Sequence, residues 1–216
     1  MKSLSIETTV HGRVLVEEVT KPPAEGFLVV FHGYGQSADE ALADTRRIVG
    51  VDRWTIVALQ ALHRFYSRND ERVIASWMTR QDRDEAIRDN VAYVDRVLEV
   101  VGAVPPLVFA GFSQGASMAY RAAMLGRHRA AGVIALGGDI PPELKSAAQL
   151  LWPPILIGAG LGDTWYTGAK VEADVAFLAH HHVAHDVVRF RGGHEWTDQF
   201  RETASQWLQA RSKNVR

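Results

Sequence analysis

Hydrophobic and polar positions repeat along this chain with two different periods, and the changes between them predict its elements. Leu4–Val10 and Arg13–Val19 alternate apolar with polar residues, with His11-Gly12 between them as a tight turn. That pattern predicts an antiparallel hairpin at the N-terminus. Pro22-Pro23 ends it. Phe27–Phe31 is then a continuous apolar run, as expected of a strand covered on both faces. A helix is expected over Ala38–Val49 and a buried strand over Trp54–Leu59. Ile87, Val91, Val94, Leu98 and Val101 recur at helical spacing within Asp84–Val101. Further strands are expected at Leu107–Ala110, Gly132–Leu136, Ile155–Gly158 and Asp186–Phe190, and helices at Ala116–Leu125, Ala169–Ala179 and Glu195–Arg211. Residues 61–83 are polar and aromatic with no clear period, the mark of a long functional loop.

After the hairpin, strand and helix alternate. The expected fold class is therefore α/β, a mostly parallel central sheet with helices on both faces. No repeat or Pro/Gly/Ser linker divides residues 1–216, so one domain is expected. In such sheets reactive groups gather on loops at the carboxyl ends of the strands.

Composition narrows the chemistry. The 216 residues are 47% hydrophobic and 23% charged with a net charge of −1, which does not suggest a nucleic-acid or anionic-membrane partner. The absence of cysteine removes disulfides, thiolate catalysis and Cys-ligated metals. Met1–Glu7 lacks an apolar core of signal-peptide length, and no apolar run approaches the roughly 20 residues of a membrane span. A cytoplasmic protein without stable membrane insertion is expected.

Gly111-Phe112-Ser113-Gln114-Gly115 lies between an expected strand and an expected helix. A strained turn there would expose Ser113 as a nucleophile at a helix N-terminus. A serine hydroxyl needs a base, and the base needs an acid to fix its tautomer. With the chain order Ser, acid, His, the acid follows a later strand and the histidine follows the last one. Asp163 is the first carboxylate after Ile155–Gly158, and His194 sits in the glycine turn after Asp186–Phe190. Asp139 and Glu143, after the preceding strand, compete with Asp163. An oxyanion hole needs two N–H donors. Gln114, following the nucleophile, and Tyr34, in His32-Gly33-Tyr34-Gly35-Gln36, are the candidates. His32 precedes the serine and is expected to order that loop. His180-His181-His182 with His185 has no carboxylates at ligand spacing, so no metal site is expected.

Phe31-His32-Gly33-Tyr34-Gly35, the Ser113 pentapeptide, Gly162-Asp163 and Gly193-His194 together resemble the phospholipase/carboxylesterase family of α/β-hydrolases, which includes bacterial carboxylesterases and acyl-protein thioesterases. The resemblance covers nearly the whole chain. It implies an α/β-hydrolase fold without a large cap domain, and cofactor-free hydrolysis of carboxylic esters, thioesters or lysophospholipids. It carries Ser113, Asp163 and His194 over as the triad, and Tyr34 and Gln114 as backbone donors. The implied partner is a small-molecule ester, and a homodimer is compatible with the sequence. Two segments depart from the family pattern. Asp163 is followed by Thr164-Trp165-Tyr166-Thr167 instead of reaching Val-Pro, and Leu59-Gln60-Ala61-Leu62 replaces a Pro-Gln-Ala-like segment. Tyr34, Trp77, Trp165 and Tyr166, with Phe65, Tyr66 and Met78, are expected to form an aromatic mouth that contacts substrate. Two other readings remain: a non-catalytic binding module on the same fold, and an acyltransferase or hydrolase of peptide or aromatic esters at the same site. Dienelactone-type chemistry is disfavoured because it typically uses a cysteine.

Overall fold

The computed structural model describes residues 1–212. In chain order the strands are β1 (Arg13–Glu17), β2 (Gly26–Phe31), β3 (Trp54–Gln60), β4 (His63–Tyr66), β5 (Val73–Ser76), β6 (Leu107–Phe112), β7 (Gly132–Leu136), β8 (Ile155–Gly160) and β9 (His185–Phe190). The helices are α1 (Ala38–Arg46), α2 (Arg83–Val100), α3 (Gln114–Leu125), α4 (Pro142–Ser146), α5 (Gly168–His180) and α6 (Asp198–Ser212). Seven strands form one sheet in the order β1-β3-β2-β6-β7-β8-β9. From β3 across to β9 all neighbours run parallel; only β1 is antiparallel.

The continuous apolar runs are explained by two cores. In β2, Val29 and Phe31 join a core with residues of α2, α3, α4 and α5, while Leu28 and Val30 join the opposite core with residues of α1 and α6. A strand clad on both sides cannot alternate with polar residues. Each such side chain contributes roughly 1.5–3 kcal/mol by leaving water, and this burial holds the strand ends that carry the site. α1 starts where Ser37 Oγ accepts the Glu40 N–H and donates to the Glu40 carboxylate, a reciprocal cap. It stops at Arg46, short of the expected Val49.

The expected N-terminal hairpin is not where the antiparallel pairing lies. β1 is antiparallel but pairs with β3, with Arg13 opposite Gln60 and Glu17 opposite Ile56. Residues 1–12 form no strand, and Leu4, Ile6 and Val10 are exposed. The reason is anchoring. Tyr93 Oη donates to Arg13 O and Arg64 to His11 O, steering the incoming chain toward α2 and β4. Val14 and Leu15 then find buried partners that Leu4–Val10 lacks. The antiparallel hairpin of this fold is β4–β5, inside residues 61–83, which had been expected to form an irregular loop. Among the described residues no helix is long and apolar enough to cross a membrane.

Candidate active site

Ser113 sits between β6 and α3 with φ 55° and ψ −120°, a conformation that costs a non-glycine residue roughly 1–3 kcal/mol. The surroundings enforce it. A Cβ on Gly111 would lie 2.0 Å from Gly115 O, and one on Gly115 would lie 2.2 Å from Phe31 O. Only glycine lets the strand, turn and helix approach so closely. The Ser113 N–H donates to Leu136 O at 2.8 Å, tying the turn to β7. Its Oγ has no hydrogen-bond partner among the described residues, and the side chain is half-buried.

The loop after β2 lies against this turn; a Cβ on Gly33 would be 3.4 Å from Ser113 Cβ. His32 is buried and orders the loop from within. Its Nε2 accepts the Ala61 N–H at 3.1 Å, so the proton is on Nδ1, which donates to Gly33 O at 2.7 Å. Burial pushes the His32 pKa below its ordinary 6.5, outweighing the Gly33 bond and Glu40. The folded protein therefore takes up this proton later than the unfolded chain as pH falls. The stability His32 contributes is complete above 6.5 and is lost as pH drops below it. Thermal melts from about pH 8 to about pH 5 should show a midpoint that falls through this window. His32→Asn should flatten that slope, and an unchanged slope would contradict the assignment.

Gln36 Oε1 accepts the Gly33 N–H at 2.7 Å, and the Gly35 and Gln36 backbones pair with Ala75 of β5. The side-chain amide of Gln114 clamps the other side, accepting the Trp77 N–H at 2.8 Å and donating to Met78 O at 3.1 Å. The backbone N–H groups of Tyr34 and Gln114 are left without partners among the described residues. Tyr34 lies on the loop packed against the Ser113 turn, and Gln114 is the first residue of α3, directly after Ser113.

His194, after β9, places Nδ1 2.7 Å from Asp163 Oδ2. The Asp163 side chain is 1% exposed and that of His194 is 22% exposed. Asp163 Oδ1 accepts the N–H groups of Trp165 and Tyr166 at 2.7 and 3.0 Å. Burial alone would raise the Asp163 pKa, but the His194 hydrogen bond and these two N–H groups outweigh it and hold the carboxyl below its ordinary 3.8. The His194 ring lies 4.8 Å from the Phe112 ring, centroid to centroid, and a Cβ on Gly137 would be 3.1 Å from its Cε1. A Cβ on Gly138 would be 2.4 Å from Ser113 O. The turn after β7 thus touches the serine and the imidazole at once.

The rival acids are engaged elsewhere. Glu143 pairs with Arg121 at 2.6 Å and Arg83 at 2.5 Å, and Asp139 faces Lys170 at 3.8 Å. The His180–His185 cluster runs from the last residue of α5 to the first of β9, with His181 against the Phe177 ring and His185 Nδ1 on Val183 O. Of the aromatics expected at the mouth, Tyr34 and Trp165 are 65% and 73% exposed, and Phe65 and Tyr66 are both exposed on β4, pointing to its opposite faces. Trp77 and Tyr166 are not mouth residues. Trp77 is buried against Phe31 and His32 and donates Nε1–H to His32 O; Tyr166 is buried and donates its hydroxyl to Asp174. Each indole or phenol has a partner beneath the loop, which turns it inward. Sequence reasoning missed the amides of Gln36 and Gln114 as loop clamps. It also missed Asp174, although an aspartate between Val171 and Leu178 on one stripe of α5 was a legible signal.

The site thus presents a half-exposed serine, an imidazole bonded to a buried carboxylate, and two backbone N–H groups without partners among the described residues, groups of the kinds that nucleophilic acyl transfer can use. The model of the Phospholipase/Carboxylesterase family matches residues 13–211. Among solved structures, the fold is similar to that of the esterase PE8, with 21% identity over 93% of this chain and 99% of that one and a TM-score of 0.78. It is also similar to a carboxylesterase of Bacillus cereus (17% identity, 93% and 94% covered, TM-score 0.70) and one of Mesorhizobium loti (21%, 92% and 93%, 0.70). At these identities the likeness is one of fold. Among proteins of curated function, none matches the chain significantly by sequence. The strand order, the serine turn and the match across residues 13–211 together place this chain in the phospholipase/carboxylesterase family of α/β-hydrolases.

Proposed function

We propose that the protein is a serine hydrolase of small-molecule carboxylic esters, and that it works through an acyl-enzyme without a cofactor. The observation that carries this reading is the 2.7 Å contact of His194 Nδ1 with the buried Asp163 carboxylate, set beside a serine held at φ 55°. Asp163, ionised through the neutral range, orients the imidazole so that Nε2 faces outward as a base. Nε2 takes the Ser113 proton as Oγ attacks the ester carbonyl; the serine–imidazole hydrogen bond closes when substrate binds, as is common in unliganded sites. The carbonyl oxygen becomes an oxyanion held by the Tyr34 and Gln114 N–H groups. The tetrahedral centre then collapses, the C–O bond breaks, and His194 gives its proton to the leaving alcohol. Water, deprotonated by His194, attacks the acyl-enzyme, and the acid leaves as Ser113 regains its proton. Tyr34 and Trp165, large and exposed on opposite loops, favour a substrate with a short acyl group or an aromatic ring over a long free chain.

A fluorophosphonate should label the protein once, and tandem mass spectrometry should place the adduct on Ser113. No adduct, or an adduct elsewhere, overturns the assignment and favours a binding module on a hydrolase fold. p-Nitrophenyl esters of graded acyl length then separate substrate classes. Highest kcat/KM on the shortest esters supports the short or aromatic class, and a rise with chain length rejects it.

A further inference from the structure

Asp174 on α5 is fully buried, yet it lies on the stripe of Val171 and Leu178 that faces the core. A carboxylate there is costly unless donors surround it. Two hydrogen-bond donors and one cation do, and each comes from a different element. Tyr166 Oη donates to Oδ2 at 2.9 Å, from the loop after β8. The Ile140 N–H donates to the same oxygen at 3.1 Å, from the loop after β7. Lys145 Nζ of α4 stands 2.6 Å from Oδ1. The hydroxyl of Tyr120 is buried without a hydrogen-bond partner among the described residues; burial pushes its pKa up, and Asp174 is close enough for its charge to add to that push.

Of those two loops one carries a residue of the candidate triad and the other packs against the remaining two. The loop after β8 carries Asp163, whose Oδ1 is held by the Tyr166 N–H. The loop after β7 begins with Gly137 and Gly138, which touch the His194 ring and Ser113 O. Tyr166 thus has two roles in one residue: its backbone holds Asp163 and its hydroxyl reports to Asp174. Neither Tyr166 nor Asp174 reaches the exposed mouth. We infer that Asp174, acting through Tyr166 and Ile140, is a positioning residue that fixes Asp163 and the Gly137–Gly138 turn against His194. This rests on the esterase reading above. A shift of about 1 Å in a supporting group is enough to cost a site on the order of a hundredfold in rate.

Tyr166→Phe removes one hydroxyl and keeps the ring, so it is the primary test in the full chain. Active sites are counted by fluorophosphonate titration, and kcat is expressed per labelled site. With p-nitrophenyl acetate, kcat should fall by about tenfold while KM stays within about twofold, the split expected when orientation and not binding is lost. The downfield proton signal of His194 Nδ1–H bonded to Asp163 should broaden or move upfield. Asp174→Asn, which disturbs both loops, should lose more; if it does not fold, Tyr166→Phe decides alone. A Tyr166→Phe protein with a lower melting temperature but wild-type kcat per site and an unchanged proton signal would show a purely structural role and overturn the inference. Ser113→Ala, run in parallel, separates the two layers. If that variant hydrolyses the ester normally, the esterase reading has failed. If it is inactive while Tyr166→Phe is unaffected, only the positioning role has failed.

Discussion

Ser113→Ala should reduce kcat for p-nitrophenyl acetate by on the order of 10⁴–10⁶-fold, leaving a folded protein. The size follows from the unit nature of the site. In the proposed mechanism no acyl-enzyme forms without Oγ, His194 and Asp163 have nothing to activate, and only oxyanion stabilisation and binding remain. The fold should tolerate the change. Ser113 Oγ caps no backbone N–H at the start of α3 and has no hydrogen-bond partner among the described residues, so its removal orphans no buried group. Alanine bears the same backbone strain at φ 55° as serine, so that cost cancels. Circular dichroism and thermal melting should match the wild type. Full hydrolysis by the variant would remove Ser113 from the mechanism.

Gly115→Ala should instead destroy the fold. In an ordinary helix position alanine is favoured over glycine by up to about 1 kcal/mol. Here the new Cβ would meet Phe31 O at 2.2 Å, His32 O at 2.5 Å and Phe31 C at 2.6 Å. All three are backbone atoms, and Phe31 is fixed by pairing to Leu59 on one side and Gly111 on the other. No rotamer relieves the clash, so α3 must lift off β2 and take part of the core with it. A loss above about 4 kcal/mol is expected, against a total stability of about 5–15 kcal/mol for a typical domain. Soluble yield should collapse, and any recovered protein should unfold at much lower urea. Gly193→Ala is the control, since a Cβ there meets nothing within 4 Å. A Gly115→Ala stability within about 1 kcal/mol of wild type would show that the helix and strand can separate cheaply, contrary to this account.

The contrast between these glycines and the aromatics explains what was legible in the sequence. The sheet was readable because doubly covered strands leave continuous apolar runs such as Phe27–Phe31, and helices leave stripes such as Ile87–Val101. Ser113, Asp163 and His194 were readable as candidates because parallel topology puts the ends of successive strands side by side. Leu4–Val10 misled because alternation states a capacity to pair but not whether a partner edge is available; the edge of β3 was taken by Arg13–Glu17. Trp77 and Tyr166 misled for a related reason. An aromatic in a loop faces in or out according to whether its polar tip finds a partner below; His32 O lies 45 residues from Trp77, and Asp174, eight residues from Tyr166, lies on the following helix. The β4–β5 hairpin was missed because every residue of β4 is exposed, leaving no inward face to create a period.

That same exposure separates two tasks within one small hairpin. The β5 arm is committed, since Ala75 is buried and pairs with Gln36 behind the Tyr34 loop, and the residues following it are gripped by Gln114. The β4 arm, bearing Phe65 and Tyr66, belongs to neither core. Substitutions on an exposed strand typically change stability by less than about 0.5 kcal/mol. Phe65 and Tyr66 can therefore be exchanged without cost to either core, so if the proposed entrance sets substrate choice, that choice can be altered at β4 while the fold beneath is left intact.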